Sequence, residues 1–166
     1  METINRTTRA RLSCIAFTLL SIGVVPTANA KSCSLASGAG RWAFTITGSV
    51  ILPTGASIPV VQVGIFREDN LGNVSGSQTR SLGGSVAKET FAGTASINPD
   101  CTGTAELAVY DNTSGALTRT TSVDFVLDDD SNHARSIVTS IELPDGTRLA
   151  PLLTLDYRRI FSRASN

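Results

Sequence analysis

The chain is short of the side chains on which most enzymes rely. Its 166 residues include one histidine, three cysteines, one methionine and one tryptophan. The histidine, His133, falls in a joint between two strand-like runs, so a serine or cysteine triad would need it there with an acid beside it. It reads as an exposed loop histidine. Two widely spaced cysteines and one distant histidine make no ligand cluster, and neither a metal nor a cofactor is expected. Asp128, Asp129, Asp130 and Asn132 offer oxygens, but the glycine and distal glutamate of an EF-hand loop are missing and the run reads as a solvated turn. An excess of one charge is missing too, since 14 basic residues balance 14 acidic ones. That balance gives no broad basic field for nucleic acid or an anionic membrane.

A hydrophobic run long enough to span a bilayer is also absent. The apolar-biased stretch 12–25 has 14 residues, where about 20 are needed. What stands there is the pattern of an export leader. Arg6, Arg9 and Arg11 precede the stretch, Pro26 breaks it, and Ala28-Asn29-Ala30 supplies small residues for cleavage. No lipobox cysteine follows and the arginines are not twinned, so no stable membrane anchor is expected. The mature chain then begins near Lys31 and is exported, either to a periplasm or to the medium. Three arginines, Glu2 and Cys14 leave with the leader, so 11 basic and 13 acidic residues remain in one domain of 136 residues. Cys33 and Cys101 remain as well, and in an oxidising compartment they are expected to pair. Closing a loop of that length is worth about 4 kcal/mol in the chain-entropy description.

From residue 40 onward the chain alternates apolar and polar residues, with turn signals at regular spacing and no helical period. The clearest run is 42–50, whose even positions Trp42, Phe44, Ile46 and Val50 mark a core face. Similar runs at 59–68, 73–80, 85–97, 102–110, 117–127, 134–143 and 147–161 bring the count to eight strands. Joints such as Leu82-Gly83-Gly84 and Pro144-Asp145-Gly146 are too short for crossover helices, so each strand pairs antiparallel with the next. The expected fold is all-β, an eight-stranded up-and-down barrel over 41–161, preceded by an N-terminal segment at 31–40 and followed by a tail at 162–166. A two-sheet sandwich is the rival. Glycines within strands at 48, 64, 76, 93 and 103 favour closure. Counting strands up and down places Cys101 in a joint at the same end as Cys33, where the bond would staple the base.

Gly40-Arg41-Trp42 resembles the glycine-x-tryptophan signature of the calycins, the superfamily of lipocalins, fatty-acid-binding proteins, avidins and bacterial metalloprotease inhibitors. That resemblance implies a tryptophan across the closed end of the barrel, covered by an arginine of the last strand, here Arg159 over Trp42. The segments "GNVSGSQT" and "GTASINPDCTGTAEL" with the terminal Arg-Arg pair resemble a group of exported bacterial proteins, and allene-oxide-cyclase-like barrels have a similar layout. Neither likeness carries catalytic residues over.

In the fourth to eighth strands the odd positions are the apolar ones, among them Phe91, Leu107, Val123, Phe125, Ile137 and Leu155. On that parity Glu89, Arg119, Thr121, Thr139 and Tyr157 also point inward. Glu89 and Arg119 lie toward the top, where an ion pair is one reading. The other is a site for a small amphipathic ligand, with Arg119 on its polar head, the apolar part against Phe91, Val123 and Phe125, and Glu89, Thr121 and Thr139 beside it. The function expected is non-catalytic binding of such a ligand. An inhibitor-like interaction protein and a cyclase-like barrel enzyme using Glu89 as a buried acid are the alternatives. Oligomeric state is left open by the sequence.

Overall fold

Short joints with side-chain locks set the topology. Asp69 Oδ1 accepts the backbone N–H groups of Leu71 and Asn73, both at 2.9 Å, and Asp111 Oδ1 accepts those of Thr113 and Ser114. Such turns reverse the chain within a few residues. At Gly83-Gly84 both residues have positive φ, 56° and 92°, as a two-residue hairpin joint requires.

The computed structural model describes residues 32–160, Asp129 excepted. The export leader at 1–30, the mature start at Lys31 and the tail at 162–166 lie outside the described residues. Eight strands follow one another: β1 (Gly40–Ile51), β2 (Ser57–Glu68), β3 (Asn73–Leu82), β4 (Ser85–Ile97), β5 (Thr102–Asp111), β6 (Leu117–Leu127), β7 (His133–Glu142) and β8 (Arg148–Arg159). Each pairs antiparallel with the next, and β8 returns to β1 with Trp42 opposite Arg159 and Phe44 opposite Tyr157, closing the barrel. A one-turn helix, α1 (Leu35–Gly38), precedes β1 and was not apparent in the sequence. Among the described residues no helix is long and apolar enough to cross a membrane.

The base is sealed. Cys33 and Cys101 are bonded, with Cα atoms 5.0 Å apart, and the Cys33 N–H donates to Pro99 O at 3.1 Å. Trp42 is buried; its indole N–H donates to Gly38 O at 2.8 Å, and the Arg159 guanidinium lies 4.6 Å from its ring centroid. Arg159 also donates to the carbonyls of Ser131, Ser37 and Ala39, tying the β6–β7 joint and α1 to the ring.

Above the base, Phe44, Phe66, Phe91 and Tyr157 pack ring against ring at 5.7–6.1 Å, with Trp42 stacked on Phe66 below them. Gly64 and Gly76 make room for this layer, since a Cβ on either would crowd the Phe44 or Phe91 ring. The odd-position rule holds through β4, β5, β6 and β8 and fails in β7. There Val123 pairs with Val138 and Ser122 with Ser140, leaving Thr139 as an extra residue in a bulge. Ala134, Ser136 and Val138 therefore face inward, Ile137 and Thr139 face outward and are exposed, and only Ile141 recovers the expected direction.

Candidate ligand-binding site

Four inward side chains from three strands converge in the upper barrel. Gln78 and Arg80 alternate along β3, Glu89 on β4 stands opposite Gln78, and Arg119 on β6 reaches across β5 to meet it. The Glu89 carboxylate, 1% exposed, accepts four hydrogen bonds. Gln78 Nε2 donates to Oε2 at 2.7 Å, Arg80 Nε to Oε1 at 2.8 Å, and Arg119 Nη1 and Nη2 to Oε1 and Oε2, each at 2.8 Å. Burial pushes the carboxyl up, but the hydrogen bond and charge of Arg119, reinforced by Arg80 and Gln78, more than offset it and hold Glu89 at about 2. One carboxylate lies between two guanidiniums, and the Asp111 carboxylate, opposite Glu89 on β5, balances the second of them.

Next to this hub is a cavity of about 100 Å³. Its walls are mostly apolar, with Phe44, Ile46, Phe91, Leu107, Val123 and Phe125 among them. A few polar groups interrupt them: Arg119 and Thr121 from β6, Gln78 from β3, and at the basal end Glu68 from the last position of β2. Gln62, midway along β2, also lines the space; it is 6% exposed and its side chain makes no hydrogen bond among the described residues. Tyr157 closes one side, its hydroxyl accepting from Ser136 Oγ at 3.0 Å while burial pushes the phenol up.

Of the residues expected in the site, Phe91, Arg119 and Thr121 line the cavity together. Glu89 stands behind them as the centre of the ion-pair hub, and Thr139 is carried outside by the bulge in β7. Gln62, Glu68, Gln78 and Arg80 were missed. The signal for the β3 pair was present, because Gln78 and Arg80 share the parity of Val74 and Leu82 while the alternate positions are serine and threonine.

His133 is not an exposed loop residue. It is the first residue of β7, and its ring bridges two carboxylates, with Nδ1 2.7 Å from Asp128 Oδ2 and Nε2 2.7 Å from Asp156 Oδ2. The hydrogen bonds to Asp156 and Asp128 raise its pKa, and the bridge fastens the β6–β7 joint to β8. In the same joint the Asn132 amide groups bond Asp130.

No family model, curated protein or solved structure matches the chain.

Proposed function

We propose that this is an exported, calycin-like barrel, periplasmic or secreted, that binds a small, predominantly apolar molecule inside the barrel without transforming it. The observation that carries the reading is the apolar cavity of about 100 Å³ beside the Glu89 hub. Interiors are normally close-packed, and an eight-stranded barrel either fills with its own side chains or holds one small guest. Mostly apolar walls with a few fixed polar groups are the usual lining of a small-molecule site, and at about 100 Å³ this one is suited only to a very small guest. Both terminal nitrogens of Arg119 already hold Glu89, so a polar group on the guest would meet Thr121 and the unengaged Gln62 amide.

A cyclase-like role for Glu89 loses its support, because an acid held ionised by four donors has no proton to give near neutrality. The interaction-protein reading keeps one specific observation in its favour: Val61, Val63 and Ile65 lie exposed in a row on the outer face of β2. Native mass spectrometry of the protein purified from the organism that makes it separates the two. A small molecule released on activation supports the barrel site; a bare chain with a protein partner supports the surface.

A further inference from the structure

Glu68 ends β2 at the opposite end of the cavity from the hub and lines it beside Gly38, Trp42 and Phe66. It is 6% exposed, its Oε1 is fully buried, and among the described residues Oε1 has no hydrogen-bond partner and the carboxyl no ion pair. Residue 38 leaves it space by having no side chain, for a Cβ there would stand 2.5 Å from Oε1. Folded proteins leave few buried polar groups unsatisfied, and those they leave call for a cause.

The charged neighbours are already committed. Arg159 on β8 serves three carbonyls and the Trp42 ring, and Asp69 accepts amides of its own turn. Val74 on β3 stands opposite it, Ile97 on β4 packs beside Gly38, and Leu127 on β6 and Ala134 on β7 line the same cavity, all apolar. We propose that Glu68 is the polar anchor of the cavity and that the guest it takes is a small, otherwise apolar molecule bearing a hydroxyl group. The proposal rests on the binding reading above and names the chemistry of the ligand.

The choice of hydroxyl follows from what surrounds the acid. Around Glu68 the charges are mixed, Arg159 against Asp69, so neither an ammonium nor an anion meets a field of one opposite sign, and either would lose its hydration on entering walls that are mostly apolar. A hydroxyl both donates and accepts, so it satisfies the acid in either protonation state. Burial pushes Glu68 up to about 7, with Arg159 opposing and Asp69 adding. In mildly acidic solution the acid therefore offers an O–H as well as an oxygen. At about 100 Å³ the space is smaller than the roughly 150 Å³ cavity that takes up benzene, so a single small ring such as phenol is the upper limit of the guest.

Phenol and toluene share a shape and differ by hydroxyl against methyl, so they are the probes. Each is titrated at pH 6 into the full disulfide-bonded protein, followed by methyl NMR shifts, for wild type, Glu68→Gln and Glu68→Leu. Wild type is expected to favour phenol by about tenfold, Glu68→Gln to keep that preference, and Glu68→Leu to lose it. Raising the pH through 7 is expected to alter phenol affinity in wild type and not in Glu68→Gln. Should Glu68→Leu fail to fold, the side-chain carboxyl ¹³C resonance of Glu68 gives the second readout, and it must shift with phenol and not with toluene. Equal affinity for the two probes in wild type, a preference that survives in Glu68→Leu, or an unmoved carboxyl resonance overturns the anchor while leaving the cavity reading intact. Failure of both probes to bind wild type overturns both.

Discussion

Arg119 grips Glu89 with two parallel hydrogen bonds, Nη1 to Oε1 and Nη2 to Oε2, each 2.8 Å long. The pair joins β4 to β6 across the intervening strand and is shielded from water, so it belongs to the class whose disruption is costly. Arg119→Ala is expected to lower stability by about 3–5 kcal/mol by leaving Glu89 under-compensated. Arg119→Lys recovers only part of this, because an ammonium cannot reproduce the two-pronged contact. Urea denaturation checks both. A loss below about 1 kcal/mol for Arg119→Ala would mean that Arg80 and Gln78 hold the carboxylate unaided.

Two buried glutamates impose opposite pH dependences. Glu89 titrates at about 2 in the fold against 4.5 unfolded, so its contribution is present above pH 4.5 and is lost as pH falls toward 2. Glu68 titrates at about 7 in the fold, so its contribution is full below pH 4.5 and is lost as pH rises through 7. Each swing is on the order of 3 kcal/mol. Stability of the wild type is therefore expected to peak near pH 5 and decline toward pH 8. Glu68→Gln is expected to lessen the alkaline decline, leaving the part that comes from deprotonation of His133, whose pKa its two carboxylate partners raise, and to leave the acid limb in place; denaturation midpoints across pH measure it.

The bond between Cys33 and Cys101 closes a loop of 68 residues. The double variant Cys33→Ser, Cys101→Ser is expected to lose about 2–4 kcal/mol, read as a lower urea midpoint under non-reducing conditions. A change under 1 kcal/mol would mean that the Cys33 to Pro99 backbone contact and α1 hold the base without the bond.

At the same end, Arg159 combines a face contact with Trp42 and hydrogen bonds to three carbonyls. Arg159→Lys keeps the charge and loses the planar fork. It is expected to cost about 1–3 kcal/mol and to shift Trp42 fluorescence, whereas an unchanged emission spectrum would show that the ring is held by its Gly38 contact alone.

Much of this arrangement was legible in the sequence. Tight joints demanded antiparallel neighbours and strand counting put Cys33 and Cys101 at one end, whereas Arg159 beside Trp42 was expected only through the glycine-x-tryptophan resemblance. The failures have physical causes. One extra residue in β7 exchanged the faces of Ile137 and Thr139, and hydrophobic alternation cannot announce a bulge when Ile137, Val138 and Ile141 are all apolar. Glu68 and Gln62 were missed because both faces of β2 look apolar, Val61, Val63 and Ile65 outward against Val60 and Phe66 inward. His133 was misread because nothing local marks Asp156 as its partner from the next strand.

If the mostly apolar space inside the barrel is open to a guest, xenon should enter it, since xenon occupies such cavities without needing any polar contact. Diffraction from crystals of the wild-type protein pressurised with xenon is expected to show a peak inside the barrel among Phe91, Leu107 and Val123. A barrel interior without xenon, filled by side chains or by ordered water, would mean that no space for a guest exists there.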